Sequence, residues 1–367
     1  MAGHVPHDSI PAWAIGVPLV AAAVVALKMA HVLSADAAWV LILSGTLLGL
    51  SVFAAVHHAE VLALKLGEPF GSILLAVAVT VIEAALIVSI LLTRAPGSEA
   101  VARDTVSAAV MIVLNGIIGL CLVAGALRHR EQIFRVDGAQ APLAVLTVLA
   151  VFALVLPNFT TTTRGPTYAP LQLVGIATVF VILYVVFVFV QTVRHREYFL
   201  DTTLDHGAAA THDPPPNRVA LASLVLLFVA LTAVVLLAKV LSGPLDGVVR
   251  AAGLPPAVVG VAIAALVLLP EGLAATRAAL GNRLQGAINL AIGSAIASIG
   301  LTIPVVAAVS LWVGIELTLG LTPEKMVLLL LTLLVSTQTL ATGRTTVLQG
   351  AVHLVMFTVF VILTFVP

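Results

Sequence analysis

Charge is what this 367-residue sequence has least of: Asp, Glu, Lys and Arg make up 9% of it, while 61% of the residues are hydrophobic. A soluble domain carries about a quarter charged residues, so this composition excludes one and leaves an integral membrane protein with little outside the bilayer. Neither sign dominates, with 17 basic and 17 acidic residues, and no basic block offers a nucleic-acid surface. A single cysteine, Cys121, rules out an intramolecular disulfide and leaves the redox compartment open. The opening MAGHVPHDSIP lacks Lys and Arg, and the apolar run after it is too long for a signal-peptide core. An uncleaved first helix is therefore expected. Also missing are an H-E-x-x-H metal signature and a G-x-S-x-G nucleophile elbow, which weakens any reading as an intramembrane enzyme.

What remains is long apolar runs. Eleven can be marked off by charge, Pro and Gly: Trp13–Leu33, Trp39–Val56, Phe70–Leu92, Thr105–Leu127, Leu143–Pro157, Leu171–Val193, Val219–Leu241, Ala257–Leu280, Ala287–Val313, Met326–Leu340 and Thr346–Val366. The fifth and tenth are short. None alternates as a barrel strand would, so the predicted class is an all-α integral membrane protein with about eleven transmembrane helices.

Two of these runs contain a carboxylate: Glu83 in the third and Glu271, directly after Pro270, in the eighth. A carboxylate at that depth costs about 2.5–3.5 kcal/mol even on lenient insertion scales, so it marks an ion or proton pathway by default. With the first helix set aside, five runs precede a polar segment and five follow it. An odd number per half makes the second half enter the membrane from the opposite side, the origin of inverted repeats. Glu83 and Glu271 each fall in the second helix of their five. The next helix is rich in small and polar residues in both halves: Ser107, Asn115, Gly116 and Gly119 in one, Asn289, Gly293, Ser294, Ser298 and Gly300 in the other. Thr80 lies one turn before Glu83 on the same helix face, and Pro270 cannot donate to the carbonyl of Leu266. A cation site of Glu83 and Glu271, supported by Thr80, Ser107, Asn115, Asn289, Ser294 and Ser298, is the expectation. Two buried carboxylates cannot both stay ionised unaided, so protons and a cation would compete for the same oxygens.

The polar segment, Arg194 to Arg218, divides the chain almost in half. The expected organisation is an N-terminal helix (1–37), a first repeat (38–193), a linker (194–218) and a second repeat (219–367). With the N-terminus inside, ten Lys or Arg residues fall in inner loops, among them Lys65, Arg128, Arg196 and Arg344. Five fall in outer loops: Arg94, Arg103, Arg164, Arg250 and Lys325. That bias places the N-terminus and the linker in the cytoplasm. The linker's His195, His206 and His212 and its aspartates have no defined metal spacing.

Three segments carry a family resemblance: HHAEVLALKLGEPFGSILLAVAVTVIEAALIVSILL (57–92), LLPEGLAATRAALGNRLQGAINLAIGSAIASIGLTIPVV (268–306) and TGRTTVLQGAVHL (342–354). They resemble the calcium:cation antiporter superfamily, and within it the bacterial Cha-type calcium (sodium, potassium)/proton antiporters. The resemblance implies two inverted five-helix repeats plus an N-terminal helix, in an inner membrane. It implies Glu83 and Glu271 as the two essential acidic positions, with Ser107, Asn115, Gly293 and Ser294 fitting the helices that follow. It also implies Ca2+, Na+ or K+ as transported ions exchanged for H+, with no cofactor. Many calcium/proton exchangers of the superfamily have Gly-Asn ahead of each Glu; Val79-Thr80 and Val267-Leu268 stand there instead, which leaves room for sodium or potassium.

Other polar residues divide between structural and functional roles. His57, His58 and Glu60 read as a solvated helix end or as a proton or metal access point, and Glu68 as a helix N-terminus or an access residue. His353, alone in the last run, reads as a hydrogen-bonded packing residue or a proton handler. The competing functions are an intramembrane acid/base enzyme using the two Glu residues and a passive cation channel. Partners are the lipid bilayer, small cations and protons, with a homo-oligomer open.

Overall fold

The computed structural model describes residues 10–30, 38–67, 70–199 and 215–366. The helices among them are, in chain order, α1 (Ala12–Met29), α2 (Ala38–Leu66), α3 (Phe70–Leu91), α4 (Val101–Met111), α5 (Ile118–His129), α6 (Val136–Leu154) and α7 (Pro170–Phe189). They continue as α8 (Asn217–Ala251), α9 (Ala257–Leu280), α10 (Leu284–Ala297), α11 (Ile303–Val313), α12 (Pro323–Leu340) and α13 (Val347–Phe365). A π-helical turn, Ile112–Ile117, joins α4 to α5, and another, Ser298–Thr302, joins α10 to α11. Each of these pairs therefore crosses as one long helix.

Ten helices among the described residues are long and apolar enough to span a membrane. In a bilayer every backbone amide needs a partner within the segment, which is why apolar runs of this length become helices. The eighth run matches α9 residue for residue, and the third matches α3 to within one. The fifth, expected to be short, is a 19-residue helix, because the polar stretch Val136–Pro142 forms its first two turns instead of a loop. α12 is not one of the ten. Its Glu324, Lys325, Thr332, Ser336, Thr337, Gln338 and Thr339 dilute an otherwise leucine-rich helix.

The chain divides into two compact units, which do not follow the order of helices in the sequence. One contains α1–α3 and most of α8; the other contains α4–α7 and α9–α13.

In the first unit, α2 packs against both α1 and α3. Gly67 ends α2 with φ 67°, a conformation costly for any side chain with a Cβ. At Gly71 a Cβ would lie 2.5 Å from the Ala63 carbonyl oxygen, so α3 can begin against the last turn of α2 only with glycine there. Pro18 lies inside α1 and has no N–H for the Ala14 carbonyl four residues back. The imidazole of His58 on α2 fills that gap, its Nε2 donating to Ala14 O at 2.9 Å. The ring of His57 lies 5.4 Å from that of Trp13.

In the second unit, glycines bring backbones close. Gly260 of α9 lies against Asp104 and Thr105 of α4, where a Cβ would meet Asp104 Cβ at 2.8 Å. Gly350 of α13 lies against Val123 and the Gly119 carbonyl of α5. Small residues at helix crossings are the usual means of association where lipid removes the hydrophobic drive. One end of the unit is fastened by polar groups. Gln132 Nε2 donates to Ala279 O at 2.8 Å and to Asn282 Oδ1 at 3.1 Å, and the His129 ring bonds Leu280 O at 2.9 Å. A two-residue antiparallel pairing, β1 (Gln132–Ile133) with β2 (Arg344–Thr345), closes the same end. Asp104, in the first turn of α4, pairs with Arg103 at 3.0 Å and with Lys325 of α12 at 3.6 Å.

Candidate functional site

Glu83 is carried by α3 and is 3% exposed; Glu271 is carried by α9 and is 7% exposed. They belong to different compact units.

On α3, Thr80 precedes Glu83 by three residues and shares its helix face. Its hydroxyl is buried and has no hydrogen-bond partner among the described residues. Membrane threonines ordinarily bond the carbonyl four residues back, as Thr178 and Thr232 do here. A buried hydroxyl left without that bond retains an oxygen for a ligand, at a cost of about 1–3 kcal/mol to the empty protein.

On α9 the helix continues through Pro270 without a break, and Leu266 O has no proline N–H to accept. Gly272, next in the chain to Glu271, faces Ile117 of the π turn, with 3.3 Å between an added Cβ and Ile117 Cδ1. The helix of Glu271 thus lies against α4, α5 and the π turn between them. Ser107, on α4, is buried, and Asn115, inside the π turn, is wholly buried. A π turn widens the helix: Ile118 N–H reaches back five residues, to Val113 O. Such turns occur often at functional positions.

The second π turn contains Ser298 and Thr302, both buried, while Ser294 is half-buried on α10. Ser294 and Thr302 are eight residues apart, as Ser107 and Asn115 are. Thr302, buried inside the second π turn, is a polar residue that the sequence reading did not single out.

Asn289 is placed differently from the rest. Its Nδ2 donates to Phe199 O at 2.6 Å and its Oδ1 accepts from Gln285 Nε2 at 2.9 Å, so its amide is spent joining α10 to the short helical segment Arg196–Phe199. The histidine cluster is also not a solvated helix end: His58 is fully buried on Ala14 O and His57 is half-buried beside Trp13, because α1 covers them. Only Glu60 is exposed. Glu68 and residues 200–214 of the linker, with His206 and His212, lie outside the described residues. His353 is 1% exposed and bonded through both ring nitrogens, to Asn115 and Thr339. Among the described residues no three His, Cys, Asp or Glu side chains cluster as a metal site.

The sodium/calcium exchanger protein family matches residues 36–193 and 222–366, the two halves on either side of the linker. Protein y4hA of Sinorhizobium fredii is 57% identical over 98% of this chain and 97% of its own length. The sodium-potassium/proton antiporter ChaA of Escherichia coli is 33% identical over 86% of each chain. Among solved structures, native YfkE superposes with a TM-score of 0.73 over 96% of this chain and 100% of its own, at 18% identity. The H+/Ca2+ exchanger CAX gives 0.70 over 96% and 89%, at 16% identity. Those two likenesses establish the fold, and the sequence matches establish the kinship. The chain belongs to the sodium/calcium exchanger protein family, as a multi-pass membrane cation exchanger of the Cha antiporter type.

Proposed function

We propose that the protein exports Na+, K+ or Ca2+ in exchange for H+ by alternating access, with Glu83 and Glu271 binding cation and protons in competition. The observation that carries this reading is the pair of buried carboxylates, each on the second helix of its half and each followed by a long helix interrupted by a π turn. Two carboxylates are neutralised equally by two protons, two monovalent cations or one divalent ion. A cycle in which only neutralised states reorient gives obligatory exchange, because the ions compete for one set of oxygens. The E. coli relative is named for sodium, potassium and protons, and a Bacillus subtilis relative, 22% identical over 67% of this chain, for Ca2+ and H+.

The donor set favours the monovalent ions. Calcium takes six to eight oxygens, and Thr80 and Leu268 stand where many calcium/proton exchangers have the Asn of Gly-Asn. Asn289 is committed to Phe199 and Gln285, and Asn115 to Thr332 and His353, so support for the carboxylates would come from hydroxyls such as those of Thr80, Ser107 and Ser294, with the Leu266 carbonyl. The location proposed is the bacterial inner membrane, with the N-terminus and the 194–218 linker in the cytoplasm.

The test is an everted-vesicle assay. A preformed proton gradient collapses on adding Na+ or K+ to vesicles containing this protein, and less readily with Ca2+. Cation flux that ignores the proton gradient would instead identify a channel. Silence towards all three ions would remove the exchange reading.

A further inference from the structure

His353 is a titratable group buried in the second unit that the proposed exchange cycle does not employ. Its surroundings are specific. Nδ1 lies 3.1 Å from Asn115 Oδ1 and Nε2 lies 3.1 Å from Thr339 Oγ1. Asn115 Nδ2 donates to Thr332 Oγ1 at 2.8 Å, and the Thr332 hydroxyl lies 3.6 Å from the Met111 sulfur. Thr332, Thr339, Asn115 and His353 are all buried.

The bonding pattern assigns a direction to this chain. Asn115 donates its N–H to Thr332, so its Oδ1 accepts from His353 Nδ1–H. Nε2 faces the Thr339 hydroxyl, and with that hydroxyl donating to it the imidazole is neutral. Every polar atom of the ring is satisfied without charge, and its partners are neutral. Both ring nitrogens are occupied by neutral hydrogen-bond partners.

Packing holds the ring in place. An added Cβ at Gly119 would lie 3.0 Å from His353 Cβ, and one at Gly116 would lie 3.3 Å from Phe357. These two glycines let α13 lie directly on the helix that contains the π turn, while Gly272 of α9 faces Ile117 of the same turn. The π turn is thus enclosed by α13 and by the helix of Glu271, with Asn115 tied to α12 and α13.

We propose that neutral His353 is a positioning residue for ion exchange: with Thr339 and Thr332 it fixes the amide of Asn115 at the π turn on which the Glu271 helix packs. This rests on the exchange reading above. It separates the role of His353 from that of the proton-binding carboxylates.

The experiment measures exchange in proteoliposomes as a function of Na+ and K+ concentration and of pH, for His353→Gln, His353→Leu and Thr339→Val. Glutamine offers an amide N–H donor and an acceptor oxygen, as the neutral ring offers a donor and an acceptor, and is expected to keep the half-saturating concentration within about twofold. His353→Leu and Thr339→Val each remove a link, raising it about tenfold, the worth of one hydrogen bond, with the maximal rate largely retained. Thr339→Val is nearly isosteric, lies at the far end of the relay and keeps the test valid if His353→Leu does not fold. An unchanged half-saturation in His353→Leu and Thr339→Val overturns the proposal. So does a glutamine variant no better than leucine, or one whose pH profile is displaced. Glu271→Gln in the same vesicles tells the two ideas apart. If it exchanges normally, the site reading fails; if it is silent while Thr339→Val binds normally, only the positioning role fails.

Discussion

Glu83 and Glu271 are carboxylates buried on membrane-spanning helices, where such a group costs about 2.5–3.5 kcal/mol even on lenient insertion scales. Neutralising Glu83 and Glu271 by amide is expected to leave the fold intact and abolish exchange: Glu83→Gln and Glu271→Gln should purify as wild type yet fail to collapse a proton gradient. Either variant exchanging at full rate would dismiss the site. Thr80 gives a sharper prediction because stability and function should move apart. Its hydroxyl is buried and without a partner among the described residues, so Thr80→Val removes an unsatisfied polar group and is expected to be neutral or stabilising by about 1 kcal/mol in thermal unfolding. The same change removes a cation oxygen and should raise the half-saturating cation concentration several-fold. A variant that loses stability as well would mean the hydroxyl has a structural partner. Glu83 and Glu271 were legible in the sequence as charges in apolar runs. Asn289 looked equivalent to its neighbours, and only its bonds to Phe199 and Gln285 set it aside.

At the scale of helices, glycine and proline decide how the elements meet. At Gly350 a Cβ would fall 2.7 Å from Val123 N and 2.9 Å from Gly119 O, both backbone atoms that cannot swing away. Gly350→Ala should therefore force α13 off α5 and cost about 1–3 kcal/mol. Gly293→Ala, with nothing within 4 Å, should be tolerated, and thermal unfolding in detergent compares the two directly. The His58–Ala14 bond invites a double-mutant cycle. His58→Leu alone leaves the Ala14 carbonyl bare and should cost about 1–3 kcal/mol. Adding Pro18→Ala restores a helical N–H to that carbonyl, so the double variant should recover part of the loss. Equal stability of the single and double variants would show that the bond contributes nothing. Run lengths disclosed the helices themselves. The π turns were not visible, because a one-residue widening leaves no mark on an apolar run.

For the whole molecule, the orientation has its own measurement. Cys121 is the sole cysteine and is buried, so a Cys121→Ala background with one cysteine placed in the 194–218 linker reports on a single side. Labelling by an impermeant maleimide is expected in everted vesicles and not in intact cells; the reverse would invert the topology. The two compact units also show why order in the sequence is an incomplete guide. Helices far apart in the chain share a unit because small residues on their facing sides let backbones approach, as Gly260 does at Asp104 and Gly272 at Ile117.

By itself, the sequence determined the class and most of the spans, and it marked two carboxylates within them. Those follow from one-body physics: a residue's cost in hydrocarbon depends on its own chemistry, and a spanning backbone has few ways to satisfy its amides. Tertiary structure alone decided the partnerships. His353 meets Asn115 across 238 residues and His58 meets Ala14 across 44, and neither pairing has a local signature. Which polar groups meet depends on which helix faces come into contact, a property of two surfaces together and of no single stretch of chain. The lone histidine of the last span is for that reason an ambiguous mark in the sequence and a hydrogen-bonded link in the fold.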